Sequence, residues 1–147
     1  MRLYLDVCSL HRPYDDQAID RNRLEAEAVV AIIGRVDHGV HSLISSEVID
    51  LEVEASPDVE KAELVRETLR LARRRVRVSQ RVAMRSQELA GMGFRNVDAL
   101  HLACAEAARC EYFVTTDDKL MRRAKSHAAI LAVVVVNPLT FVTEVDP

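Results

Sequence analysis

Acidic residues stand beside apolar segments in a pattern that a solvated surface does not explain. Asp6 closes the run "LYLD", Asp117 and Asp118 follow "YFVTT", Asp98 opens "DALHLACAEAA", and "SSEVIDLEVEA" holds Glu47 and Glu52. A carboxylate that ends a strand with Leu3 and Leu5 behind it is poorly placed for solvation, and the next residues, "VCSL", offer it no cation. For the others a purely structural role is available. Asp at a helix start accepts a free backbone N–H and faces the positive end of the helix dipole, which would account for Asp98 and for one of the two aspartates after "YFVTT". Glu47 lies in the first turn of its helix, where the dipole alone would account for an acid. Glu52 follows Val48 by four positions and precedes Ala55 by three, so it shares the edge of an apolar face and needs a partner there. The two glutamates are five positions apart and point in different directions, so one of them joins Asp6, and Glu52 is preferred.

Carboxylates gathered at one sheet edge repel one another unless a cation neutralises them. Mg²⁺ and Mn²⁺ prefer oxygen ligands, keep several waters and bridge carboxylates to phosphates. The chemistry indicated is a divalent-metal phosphodiester site, in which one ion, or two about 4 Å apart, activates water and stabilises the leaving oxygen.

Positioning such acids requires a sheet. Apolar segments near Leu3, Leu43, Val76, Phe113 and Val134 read as buried strands, with helical patterns between them. Leu24, Ala28, Ile32 and Val36 form one stripe, and Gly39 sits where that helix would end. Pro57 opens the helix before the arginine-rich segment, further helices span "RVAMRSQELAGMG", "NVDALHLACAEAARC" and "DDKLMRRAKS", and a last short one starts near Pro138. This alternation predicts an α/β fold, a three-layer α/β/α sandwich around a mostly parallel sheet of about five strands. Ligands in such folds bind beyond the carboxyl ends of the strands, where the acids are found.

The 147 residues suit a single domain spanning 1–147. A net charge of −3 gives no global attraction to nucleic acid, so any basic surface is local. The start lacks the features of a signal peptide, and the run from Ala128 to Val136 is too short for a bilayer-spanning helix, which needs about 20 residues. Cys8, Cys104 and Cys110 form no CxxC pair and read as reduced core filler, so a cytoplasmic location is expected. Arg122, Arg123 and Lys125 follow Asp117 closely and are candidates for holding a phosphate backbone. The run from Arg70 to Arg85 reads first as a solvated face opposite Glu63 and Glu67. His11, Arg12 and Arg21 read as an exposed loop, and His101 as a packed histidine in preference to a general base. With 4% aromatic residues and no Trp, a base-stacking platform is disfavoured, which leaves backbone shape and charge as the means of recognition.

The order "LYLD", "LISSEVIDLEV", "DALHLACA", "FVTTDDKL" closely resembles the PIN-domain family, in particular its VapC-like toxin ribonucleases, over nearly the whole chain. The resemblance implies that Asp6, Glu52, Asp98 and Asp117 form an acidic quartet holding Mg²⁺ or Mn²⁺. It gives Asp118 as an extra ligand and Ser9 and Thr115 as supporting hydroxyls. It also implies hydrolysis of RNA phosphodiester bonds to 5′-phosphate and 3′-hydroxyl ends, a small cognate antitoxin and a homodimer. Where family members often carry Asn or Ser two positions after the first Asp, this chain has Cys8, followed by Ser9. An aspartyl-phosphate phosphatase is disfavoured, since "DVC" lacks the second acid, and a receiver-type domain lacks its acidic pair. A PIN-like binding module without activity is the remaining alternative, and the intact quartet opposes it.

Overall fold

Apolar runs with few polar interruptions form strands that are covered on both faces. In the computed structural model, which describes residues 1–147, these are β1 (Arg2–Leu5), β2 (Ser42–Ser46), β3 (Arg74–Val76), β4 (Tyr112–Val114) and β5 (Val134–Val136). They lie at the predicted places in one sheet of order β3-β2-β1-β4-β5, and every neighbouring pair is parallel. Leu3 is in register with Leu43 on one side and Tyr112 on the other, which puts β1 at the centre. The chain runs from β1 outward to β3, then returns to β4 on the opposite side of β1. Strand order therefore reverses between β1 and β4, and a crevice opens there at the carboxyl ends.

Eight helices cover the sheet: α1 (Val7–His11), α2 (Asp20–Asp37), α3 (Glu47–Glu54), α4 (Val59–Leu69), α5 (Gln80–Gly91), α6 (Asn96–Ala107), α7 (Asp118–Ser126) and α8 (Pro138–Thr140). The arrangement is the three-layer α/β/α sandwich that the alternation predicts. One cluster of 33 buried hydrophobic residues, from Leu3 to Phe141, draws on all five strands. No helix is long and apolar enough to cross a membrane.

Two expectations need correction. In α2 the predicted stripe is buried at Ala28, Ile32 and Val36, but Leu24 is 44% exposed and Glu25 is only 1% exposed. The first turns of α2 face Arg12 and Asn137 instead of the apolar core, so the buried position there takes an acid. The segment read as an exposed loop, from His11 to Arg23, instead ends α1, forms a 3₁₀ turn over Arg12–Tyr14 with Arg12 largely covered, and enters α2 at Asp20. Asp6 starts the first of these helices, because its side chain accepts the Ser9 N–H and so caps α1.

Candidate metal centre at the carboxyl ends of β1 and β4

Asp6 is buried where β1 meets α1. One carboxylate oxygen accepts the Ser9 N–H at 2.9 Å, and the other accepts the Thr115 hydroxyl at 2.5 Å. Thr115 is itself buried, and its Oγ1 accepts the Asp117 N–H at 3.1 Å. The Ser9 hydroxyl donates to the Val114 carbonyl at 3.0 Å, which fastens α1 to β4. Burial pushes the Asp6 carboxyl up to about 6, against the opposing pull of the Thr115 and Ser9 donors.

Asp117 caps α7: its Oδ1 accepts the Lys119 and Leu120 N–H groups at 2.9 and 3.2 Å, while Oδ2 accepts no protein donor. Asp118 turns toward Arg21 in a bidentate pair at 2.7 and 2.9 Å, which holds its carboxyl below the usual range. Arg21 also donates to the Thr116 carbonyl at 3.0 Å and to Glu25 at 3.1 Å. The expected extra ligand is thus engaged by an arginine.

Asp98 lies in the first turn of α6 but is not its cap, and it accepts no hydrogen bond from the protein. Burial raises its pKa, with nearby Asp117 and Glu52 adding to the rise and Arg95 and His101 opposing it. Glu52 is hydrogen-bonded through Oε1 to His101 Nε2, and His101 Nδ1 lies 2.6 Å from the Tyr4 hydroxyl. His101 is therefore packed and satisfied. Glu47 serves a different end: it accepts the Val78 N–H at 2.7 Å and faces Arg77, fixing the link between β3 and α5.

Cys104 and Cys110 are buried as expected, but Cys8 is exposed to solvent, which corrects its reading as core filler. Its thiol is recessed enough that desolvation raises its pKa, and the negative charges of Asp6, Asp117, Glu52 and Asp98 add to the rise, reaching about 12. No group of three or more His, Cys, Asp or Glu side chains is closed tightly enough to hold an ion unaided. Carboxylate oxygens left unused at Asp117, Asp98 and Glu52 instead suit a hard cation that keeps part of its water shell.

The basic run is largely neutralised, with Arg70 paired to Glu67, Arg75 to Asp50, Arg77 to Glu47, and Arg85 to Glu88 and Glu106. Arg122, Arg123 and Lys125 form no ion pair. The Arg123 guanidinium rests against Gly93 in the turn between α5 and α6, where a Cβ would lie 2.3 Å from its Nη1. Sequence reasoning missed Tyr4 and Glu25, and it read Cys8 as core and Arg21 as loop. Tyr4 left a signal, since a hydroxyl inside "LYL" must find a buried partner.

A PIN-domain sequence model matches residues 17–126, a span that contains Glu52, Asp98 and Asp117 but not Asp6. No curated protein sequence matches the chain. Among solved structures, a chain from the crystal structure of VapBC2 from Rickettsia felis bound to a DNA fragment from their promoter aligns with a TM-score of 0.57 and 16% identity. The alignment covers 93% of this chain and 98% of that one, and at this identity it speaks to the fold. The family model spans most of the strand and helix order around the acidic crevice, and on that ground the chain belongs to the PIN-domain family, whose members are nucleases that generally use divalent metal ions.

Proposed function

We propose that the chain is a metal-dependent endoribonuclease of the VapC-like toxin kind, with residues 1–147 acting as one nuclease domain. The observation that carries this reading is the hydrogen-bonded join of Asp6, Thr115 and Asp117 at the carboxyl ends of β1 and β4, where strand order reverses, with Asp117 Oδ2 and the Asp98 carboxylate left without a protein donor. Burial, with the Asp117 and Glu52 carboxylates adding to it, opposes ionisation of Asp98, and a hard divalent cation relieves it. Asp6, Glu52, Asp98 and Asp117 would hold Mg²⁺ or Mn²⁺, which when bound supplies an activated water and charge stabilisation of the leaving oxygen. Thr115 and the Ser9 N–H fix both oxygens of Asp6, and Thr115 ties that acid to the turn bearing Asp117. Asp118 joins as a ligand only by giving up Arg21. The unpaired Arg122, Arg123 and Lys125 hold RNA phosphates beside the acids.

The likeness to a VapBC2 chain supports a small antitoxin as partner, encoded in a neighbouring reading frame. Leu51 on α3 and Val59 at the start of α4 are strongly exposed and offer apolar surface for it. A homodimer is the proposed assembly, which light scattering at working concentration tests. The unpaired cysteines suit a cytoplasmic location. The deciding experiment incubates the purified chain with a mixed RNA substrate and Mn²⁺ or Mg²⁺, with and without a chelator, and maps the product ends. Cleavage leaving 5′-phosphates and lost on chelation is expected; inertness with both ions would overturn the proposal.

A further inference from the structure

Tyr4 lies in the central strand with no exposed surface, so its hydroxyl must find partners inside the protein. It has two: Ser46 Oγ at 2.7 Å and His101 Nδ1 at 2.6 Å. His101, 2% exposed, reaches Glu52 with its other nitrogen. A line of hydrogen bonds therefore runs from the end of β2 through β1 to α6 and out to the acid on α3.

Counting protons fixes its direction. A carboxylate only accepts, so His101 Nε2 carries the ring proton. In the neutral ring Nδ1 is then an acceptor, and the Tyr4 hydroxyl is its donor. The Tyr4 oxygen in turn accepts from Ser46, whose own oxygen accepts the Ile49 N–H at 3.2 Å. No polar side-chain atom of Ser46, Tyr4 or His101 is buried without a partner. Without the Tyr4 hydroxyl, Nδ1 is a buried acceptor with no donor, and nothing on that side holds the ring where it aims Nε2–H at Glu52.

We infer that Tyr4 is a positioning residue for the metal centre: by donating to Nδ1 it seats the His101 ring, so that Nε2–H fixes Glu52 Oε1 and leaves Oε2 to the cation. The inference rests on Glu52 being a ligand, as proposed above. Partners that orient a ligating carboxylate typically change metal affinity by about ten- to a hundredfold when removed.

The test compares Tyr4→Phe and Ser46→Ala with the unaltered full chain, using long-range ¹H–¹⁵N spectra of the histidines and calorimetric titration with Mn²⁺. Ser46→Ala removes the cap of α3 and a buried partner, so it lowers stability, yet it leaves the Tyr4 donor facing His101. Expected are an Nε2–H signature and a hydrogen-bonded Nδ1 for His101 in the unaltered chain and in Ser46→Ala, and in Tyr4→Phe a shifted Nδ1 resonance that marks loss of its donor, with about ten- to a hundredfold weaker Mn²⁺ binding. A second pair guards against a folding failure of Tyr4→Phe. His101→Leu weakens Mn²⁺ binding, and His101→Gln, whose amide can donate to Glu52 and accept from Tyr4, recovers part of it. An unchanged Nδ1 resonance or Mn²⁺ affinity in Tyr4→Phe, or equal affinities in the two His101 variants, overturns the inference. Absence of Mn²⁺ binding by the unaltered chain overturns the metal-centre reading as well.

Discussion

The four candidate acids divide into two pairs. Asp6 and Asp117 stand at strand ends and also cap helices, each accepting backbone N–H groups, and Thr115 joins them by donating to one and accepting from the N–H of the other. Glu52 and Asp98 project from within helices, Glu52 steadied by one histidine and Asp98 by no hydrogen bond at all. The strand-end pair is placed by the backbone, so structure and proposed chemistry coincide in the same side chains. The helix-borne pair is placed by side chains and by charge, and Asp98, which accepts no hydrogen bond, can be altered with little structural cost. For Asp117, capping and metal binding are compatible, because the cap occupies only Oδ1.

The sharpest break in this comparison is expected at Asp98. Asp98→Asn keeps the shape and removes a charge that burial and the Asp117 and Glu52 carboxylates oppose. Metal-dependent RNA cleavage is expected to vanish, while the metal-free protein melts at the same temperature or higher, with a gain of up to about 1 kcal/mol. Full cleavage by this variant and by Asp117→Asn would remove the nuclease assignment's chief support.

At Asp6 the difference shows in pH dependence. Its carboxyl, near 3.8 in an unfolded chain and about 6 here, holds a proton in the folded state over a range where the unfolded chain has released it. Metal-free stability is therefore greatest below about pH 4 as far as this group is concerned, and falls as pH rises through about 6, by up to about 3 kcal/mol. Mn²⁺ competes with that proton, so the stabilisation it confers grows between about pH 5 and pH 7. Thermal melts across this range, with and without Mn²⁺, measure both slopes, and Asp6→Asn should flatten them; equal slopes in the variant would assign them to other groups.

A smaller effect separates cap from no cap. Asp117→Ala leaves two N–H groups of α7 without their acceptor and should lose about 1 kcal/mol of stability, whereas Asp117→Asn should lose only a few tenths, roughly. Asp98→Ala removes no cap and should show no comparable loss. Denaturant midpoints of the three variants decide the matter.

The same division explains what was legible in the sequence. Strand positions and their parallel order followed from apolar runs separated by helical patterns, because a strand covered on both faces has few polar positions. Asp6 and Asp117 were visible as acids at strand ends. Their capping was only half visible: α1 is five residues long, and its start depends on the Asp6 side chain more than on any periodic pattern. The helix between Asp20 and Asp37 misled at its first turns, where the buried position is Glu25, held by Arg12, Arg21 and Asn137. Those partners lie at separations of 4 to 112 residues, and the most distant leaves no trace in local pattern. Tyr4 and His101 are another case: each reads as core, and only their meeting across 97 residues turns two apolar-looking segments into a support for Glu52.

The smallest expected effect concerns the basic residues beside the acids. Most arginines of the run from Arg70 to Arg85 that could track RNA are paired with glutamate or aspartate, so replacing Arg75 or Arg85 removes an intramolecular partner before it removes a phosphate contact. Arg122 and Arg123 form no ion pair and follow Asp117 on α7. Arg123 is also braced, since its guanidinium lies on Gly93, just before the helix that bears Asp98. A braced, unpaired cation loses little side-chain freedom when a phosphate arrives. Each of Arg122→Ala and Arg123→Ala should weaken RNA binding and reduce the slope of log affinity against log salt by about one unit, while Arg75→Ala leaves the slope unchanged. Binding measured over a salt series with Ca²⁺ in place of the catalytic ion checks this. A slope equally insensitive to all three replacements would return Arg122 and Arg123 to the solvated surface and leave phosphate recognition to other cations near the crevice.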